Sequence, residues 1–243
     1  MTGDRNPWLR GFHPAPPGAP RLVCLPFVGG AASFFHPLSA ALPRVQVLAA
    51  QYPGRQDRFR EPAVRDLREL ADAVAAALPD DGARTVLFGH SMGGLVGYEV
   101  ARRLEARGTE VAHLYVSGRR APDAPLPGPP VHGLDDAGVL ATVRRLGGPG
   151  VELLAEPGLV ELMLPTIRAD YTAVELYEHA AGPRLRCPLT VLVGDADPLV
   201  SPAEAMEWAE RTSGPFDARV LPGGHFYLVE QADAVRRVLE AAF

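Results

Sequence analysis

The stretch that decides the fold is Thr85-Val86-Leu87-Phe88-Gly89-His90-Ser91-Met92-Gly93. It opens with an apolar run typical of a buried strand, and a helical pattern follows it to about residue 107. A strand, a serine with glycine two residues before and two residues after it, and a helix form the pattern of a nucleophile elbow. Small residues at those two positions allow the tight turn that exposes the serine hydroxyl. Ser91 is therefore the candidate nucleophile, although a chain with 25 glycines also produces such motifs by chance.

The rest of the chain alternates between apolar strand patterns and amphipathic helix patterns. Strands are predicted at residues 22–26, 45–51, 85–89, 111–118, 189–193 and 218–221, and helices near 35–42, 66–78, 92–107 and 227–240. Alternation of this kind favours a mostly parallel central sheet with helices on both faces. Together with the elbow, it predicts an α/β-hydrolase fold, and we expect residues 1–243 to form a single domain.

The alternation is interrupted at about residues 119–182. A proline-rich stretch at 122–130 leads into two amphipathic helical patterns, and no strand pattern is found there. Asp135 and Asp136 stand where an N-cap and a first-turn acid belong, and Pro165 predicts a kink in the second helix. We expect this insertion to cover the active site as a lid, and a fixed helical cap is the alternative. Its apolar residues Met163, Ile167 and Tyr171 line a substrate chamber or pack on the body, and packing is the default expectation.

A serine nucleophile needs a base and an acid, which follow it in α/β-hydrolases in the order Asp or Glu and then His. The strand pattern at 189–193 ends in Gly194-Asp195-Ala196-Asp197-Pro198. Asp197 is preferred as the acid because it lies past the strand end, whereas Asp195 could equally cap the turn. His225 is the candidate base, since it follows the last predicted strand in a glycine-rich loop. Five other histidines default to surface or core roles, and His90, inside the elbow, is expected to point away from Ser91.

Acyl transfer also needs hydrogen-bond donors for the charge that develops on the carbonyl oxygen. The first candidate donor is the backbone N–H of Met92, directly after the nucleophile. The second comes from the loop after an early strand, which here is Phe27-Val28-Gly29-Gly30-Ala31-Ala32-Ser33. The N–H of Val28 is therefore predicted to complete the oxyanion hole, although a Gly-Gly pair alone is only a turn pattern.

Composition narrows the class of protein. The chain has 243 residues, 47% of them hydrophobic, and a formal net charge of −5, so no basic surface for nucleic acid is expected. No apolar run approaches the ~18 residues of a membrane span, and residues 1–10 lack the apolar centre of a signal peptide, which favours a cytoplasmic location. Cys24 and Cys187 adjoin predicted buried strands, where reduced thiols are expected. No metal-binding or dinucleotide-binding motif is found, so neither a metal nor an organic cofactor is expected.

As a whole, the chain resembles the type II thioesterases that accompany polyketide synthases and nonribosomal peptide synthetases. The elbow itself marks a large superfamily. Two further elements narrow the resemblance, Tyr52-Pro53-Gly54-Arg55 and Arg168-Ala169-Asp170-Tyr171. The chain departs from the family at Phe27, where the family often has histidine, and this leaves the backbone donor in place.

The resemblance implies a Ser91-His225-Asp197 triad that hydrolyses acyl thioesters on the phosphopantetheine arm of an acyl or peptidyl carrier protein. Such an enzyme would clear misprimed or stalled units, and we expect it to act as a monomer. Two alternatives stay open. A carboxylesterase would use the same triad on small oxyesters, and a noncatalytic protein would use the fold only to bind a carrier protein. Arg55, Arg58 and Arg60 are candidate contacts for an acidic carrier protein, and a solvated charged loop is the favoured interpretation.

Overall fold

A seven-stranded sheet forms the centre of the protein in a computed structural model, which describes residues 6–126 and 128–243. The strands are β1 (Leu9–Gly11), β2 (Arg21–Leu25), β3 (Gln46–Ala50), β4 (Thr85–His90), β5 (His113–Ser117), β6 (Leu189–Gly194) and β7 (Phe216–Leu221). Their order across the sheet is β1-β3-β2-β4-β5-β6-β7. All neighbours are parallel except β1, which pairs antiparallel with β3 at the sheet edge. The six predicted strands are confirmed, and the three-residue β1 was not predicted.

Helices cover both faces of this sheet, as predicted. They are α1 (His36–Ala41), α2 (Leu67–Ala77), α3 (Met92–Ala106), α4 (Asp136–Leu146), α5 (Pro157–Glu175), α6 (Pro202–Ala205), α7 (Tyr227–Glu230) and α8 (Ala232–Glu240). Alternate residues of β2 divide between the faces: Val23 and Leu25 pack with α2 and α3, whereas Leu22 and Cys24 pack on the side of α8. This alternation follows from the two-residue period of a strand and gives two apolar layers.

Two helices differ from their predicted form. The predicted helix at 35–42 is a 3-10 turn over Ala32–Phe35 that continues into α1. The predicted helix at 227–240 is divided into α7 and α8 by Gln231, whose φ of −99° and ψ of 27° leave the helical region. No glycine or proline stands at that break, so the sequence pattern predicted one continuous helix.

The segment between β5 and β6 is helical, as the interrupted pattern predicted. It contains α4, a 3-10 turn over Val151–Ala155, and α5. Asp135 caps α4, since its side chain accepts a hydrogen bond from the Gly138 N–H at 2.8 Å. Helix α5 continues through Pro165, and its buried residues all lie after that proline. Its earlier part is more open, with Leu162 64% exposed.

Cys24 and Cys187 are buried and carry free thiols, as expected. Burial raises the pKa of the Cys187 thiol to about 12, so it stays protonated near neutral pH. Among the described residues, no helix is long and apolar enough to cross a membrane. The same residues contain no group of three or more His, Cys, Asp or Glu side chains arranged to hold a metal ion.

Candidate active site

The turn between β4 and α3 holds Ser91 in a strained backbone conformation, with φ 54° and ψ −116°. Such a conformation is costly for a residue with a side chain and persists only where the surroundings enforce it. The flanking glycines explain how the turn closes. A Cβ on Gly89 would lie 1.9 Å from the Gly93 carbonyl oxygen, and a Cβ on Gly93 would lie 2.0 Å from the Leu25 carbonyl oxygen. Only glycine fits at either position, as the elbow pattern predicted.

Three predicted side chains meet at the carboxyl end of the sheet. Ser91 Oγ lies 3.0 Å from His225 Nε2, and His225 Nδ1 lies 2.9 Å from Asp197 Oδ2. The side chains of His225 and Asp197 are 2% and 0% exposed, so water does not compete for these contacts. Asp197 is oriented in turn by the Leu199 N–H, which donates to its Oδ1 at 2.8 Å.

Asp195 has a different set of contacts. Its Oδ1 accepts a hydrogen bond from the Gly223 N–H at 2.9 Å and so ties the end of β6 to the histidine loop. The choice between the two acids therefore agrees with the geometry, in which Asp197 alone of the pair contacts the His225 ring.

Two backbone N–H groups are available beside Ser91. Met92 is the first residue of α3, so its N–H has no acceptor within the helix. In the described part of the chain, the Val28 N–H donates no hydrogen bond, and Val28 lines the same cavity as Ser91. Both predicted donors are thus unsatisfied at the site.

An aromatic group surrounds the His225 ring. The His90 ring centre lies 4.9 Å from that of His225, and Phe27 packs edge-on against Phe226 at 4.9 Å. His90 Nδ1 contacts Ser117 Oγ at 2.9 Å. Burial, with a smaller effect from His225, holds the pKa of His90 well below its usual value, so this ring is neutral. Phe27 packs edge-on against both His90 and Phe226, so it adds apolar cover beside the histidine rings.

A cavity of about 100 Å³ opens beside Ser91 and His225. The helical segment supplies much of its wall, including Val143, Leu146, Leu154, Met163, Ile167 and Tyr171. Met163, Ile167 and Tyr171 therefore line the chamber, and packing alone was the wrong expectation for them. A wider groove of about 580 Å³ adjoins this cavity and shares Phe27, Gly29, Met163 and Ile167 with it.

One charged side chain that the sequence analysis did not single out, Arg119, also lines the cavity. Burial lowers the pKa of its guanidinium to about 10. Its Nε has no hydrogen-bond partner among the described residues. Arg119 lies two residues after the end of β5, and its position after a strand end was the only clue in the sequence.

The arginines that follow β3 differ from expectation. Arg55 and Arg58 are only 7% and 6% exposed, so the interpretation as a solvated charged loop is wrong for both. Arg55 pairs with Asp170 of α5, and Arg58 pairs with Glu61. Sequence reasoning also missed the role of Asp170. The available clue was its position on the apolar face of the helix, together with Ile167 and Val174. A carboxylate that is buried on such a face needs a partner of opposite charge.

A strained serine at the carboxyl end of the central strand of a mostly parallel sheet defines the α/β-hydrolase class of proteins. Residues 20–243 match the thioesterase domain family, and the chain belongs to that family.

Two curated relatives come from Streptomyces. The chain is 48% identical over 235 residues to thioesterase PikA5 of Streptomyces venezuelae, covering 95% of this chain and 83% of that protein. It is 46% identical over 237 residues to a probable cadicidin biosynthesis thioesterase of Streptomyces griseus, covering 97% of this chain and 65% of that protein. The chain thus spans slightly less than two thirds of the second relative.

A solved structure is also similar over nearly the whole length. It is the type II thioesterase BorB from the borrelidin biosynthetic cluster, with 44% identity and a TM-score of 0.89. The match covers 97% of each chain.

Proposed function

We propose that this protein is a serine thioesterase that hydrolyses acyl groups from the phosphopantetheine arm of carrier proteins in polyketide or nonribosomal peptide assembly. The observation that carries the proposal is the continuous contact from Ser91 Oγ through His225 to Asp197, at 3.0 and 2.9 Å. Membership of the thioesterase domain family gives the reaction class. The names of PikA5, the cadicidin thioesterase and BorB support the biosynthetic setting.

In the first half of the reaction, His225 Nε2 accepts the hydroxyl proton as Ser91 Oγ attacks the thioester carbonyl carbon. The carbonyl oxygen becomes negatively charged, and the N–H groups of Val28 and Met92 stabilise it. The tetrahedral intermediate then collapses, the carbon–sulfur bond breaks, and the imidazolium returns its proton to the leaving thiol. An acyl-Ser91 ester remains.

In the second half, His225 accepts a proton from water as the water oxygen attacks that ester. The same two N–H groups stabilise the second oxyanion, and the proton passes to Ser91 Oγ as the carboxylic acid leaves. Asp197 keeps His225 in the tautomer with the proton on Nδ1 and stabilises its positive form in both halves. The helical segment acts as a lid whose apolar wall receives the acyl chain, and the adjoining groove offers a route for the phosphopantetheine arm.

The test follows the intact mass of an acetyl-, propionyl- or longer acyl-loaded carrier protein during incubation with the wild-type protein. The Ser91→Ala variant and an oxyester of the same acid are run in parallel. We expect the acyl mass to disappear with the wild type only, and faster than the oxyester is cleaved. Rapid oxyester cleavage with an intact acyl carrier would assign a general esterase instead. No turnover of either substrate, together with no labelling of Ser91 by a phosphonate probe, would assign a noncatalytic binding protein.

A further inference from the structure

A buried ion pair outside the triad lies directly behind the loop that carries Val28. The Asp170 side chain is fully buried, and that of Arg55 is 6% exposed. Arg55 Nη2 donates to Asp170 Oδ1 at 2.7 Å, and Nη1 donates to Oδ2 at 3.0 Å, so the contact is bidentate. The two residues come from distant parts of the chain, Arg55 from the loop after β3 and Asp170 from α5.

Both members of the pair also bind the backbone of the glycine-rich loop. The Gly29 N–H donates to Asp170 Oδ2 at 2.8 Å, and Arg55 Nη1 donates to the Gly30 carbonyl oxygen at 2.8 Å. The loop is therefore held by one donor and one acceptor immediately after Val28, and both contacts carry a full charge on one side. Charge-assisted hydrogen bonds of this kind are about twice as strong as neutral ones.

The loop itself is a tight turn with a defined peptide orientation. The Gly30 N–H donates to the Phe27 carbonyl oxygen at 2.8 Å, and Gly29 has φ of +72°. A turn closed in this way with positive φ at its third residue is a type II turn. Its central peptide joins Val28 to Gly29, and the Asp170 carboxylate fixes the N–H of that peptide. Rotation of this peptide would convert the turn type, break the hydrogen bond to Asp170 and release the part of the loop that directly follows Val28.

Stability alone does not account for the pair. Removing two charges from water is strongly unfavourable, and apolar residues of similar volume are often as stabilising as a buried ion pair. What an apolar pair cannot do is donate to Gly30 and accept from Gly29. The specific contribution of Arg55 and Asp170 is therefore the geometry of the loop.

We propose that Asp170 and Arg55 are positioning residues that hold the Val28 N–H in the oxyanion hole. The inference rests on the proposed function, because it takes the Val28 N–H as a donor to the reacting carbonyl oxygen. The pair also connects the helical segment to the proposed oxyanion hole. A movement of α5 at Asp170 would displace the loop, because Asp170 accepts a hydrogen bond from the Gly29 N–H.

The test uses three variants of the full-length protein with an acyl-loaded carrier protein as substrate. Asp170→Asn keeps the shape and removes the charge, and Arg55→Lys keeps the charge and removes the bidentate geometry. The double variant Arg55→Met with Asp170→Leu replaces the pair by apolar side chains. We expect kcat to fall by roughly 10- to 100-fold in each, below the 10²- to 10³-fold cost of losing an oxyanion donor outright. KM is expected to change less than threefold.

Inhibition by a trifluoromethyl ketone that mimics the tetrahedral adduct separates positioning from folding. Its affinity should fall in proportion to kcat/KM across the variants, because both depend on the oxyanion hole. The melting temperature of the double variant should stay near that of the wild type, whereas its kcat should remain low.

Arg21→Lys is the matched control, since Arg21 is also a buried arginine paired with an acid, Asp81, away from the site. Its kcat should be unchanged.

Two results would overturn the inference and leave the proposed function intact. One is a double variant with wild-type kcat. The other is a loss of kcat with unchanged ketone affinity. Failure of the proposed function is distinguishable, because the wild type itself would then leave the acyl carrier intact.

Discussion

At the scale of single residues, two aspartates only two positions apart have contacts that predict different roles. Asp197 Oδ2 lies 2.9 Å from His225 Nδ1, whereas Asp195 Oδ1 accepts from a backbone N–H of the loop that carries the histidine. We expect Asp197→Asn to lower kcat on an acyl-carrier substrate by about 10³-fold or more, because the amide favours the wrong histidine tautomer. Asp195→Asn should lower it less than threefold, since an asparagine oxygen still accepts from Gly223. Equal losses in the two purified, folded variants would contradict this assignment.

A second residue-scale prediction concerns the closeness of α3 to β2. A Cβ on Gly93 would meet the backbone oxygen of Leu25 at 2.0 Å, and backbone cannot rotate away as a side chain can. We expect Gly93→Ala to reduce the free energy of unfolding by roughly 3 kcal/mol or more, as measured by urea denaturation. Gly158→Ala in α5 is the control, because its added Cβ would meet no described atom within 4 Å apart from its chain neighbours and the backbone of its own helix. It should be neutral or slightly stabilising. Comparable losses from both would refute the steric explanation.

At the scale of elements, α5 consists of two parts with different surroundings. Before Pro165 it is half open to solvent, with Leu162 64% exposed. After Pro165, Thr166 Oγ1 donates to the Gly54 carbonyl oxygen at 2.6 Å, and Asp170 is held by Arg55 and Gly29. Proline has no N–H, so the helix is weakest between these parts.

We therefore expect hydrogen exchange to divide α5 at Pro165. Amides at residues 166–174 should exchange at least about tenfold more slowly than those at 158–163, because opening them requires breaking buried contacts. The measurement is exchange followed by mass spectrometry of peptides that separate the two parts. Uniform protection along α5 would mean that the helix moves as one body or stays fixed. The helical segment that we propose as a lid would then have to open at another point or act as a fixed cap.

The elements that sequence could predict are those whose pattern is local. The strand, turn and helix around Ser91 lie within one stretch, and Asp197 and His225 each follow an apolar strand pattern, so their chain order pointed to a common site. The pair of Arg55 and Asp170 is separated by 115 positions and has no local pattern. The edge strand β1 has only three residues, too few to show a period, and it was missed for that reason.

At the scale of the whole molecule, histidines that are neutral when folded make stability depend on pH. Burial, with a smaller effect from Arg84, lowers the pKa of His113 to about 4, and burial also holds the pKa of His90 well below its usual value. In the unfolded chain, histidine titrates near pH 6.5. Between these values the unfolded state binds more protons than the folded state, so stability falls as the pH falls.

We expect the melting temperature to decrease steadily from about pH 7 to pH 5, with most carboxylates still ionised because their unperturbed pKa values lie near 4. His113→Gln should make the decrease shallower, since it removes one group that gains a proton on unfolding while an amide can still contact Thr190 Oγ1, which lies 2.9 Å from His113 Nε2. The measurement is the melting temperature of wild type and variant across this range at constant ionic strength. Parallel curves would show that His113 titrates alike in both states. That result would place the acid sensitivity in the other histidines whose pKa burial lowers, His90 beside the proposed base and His179.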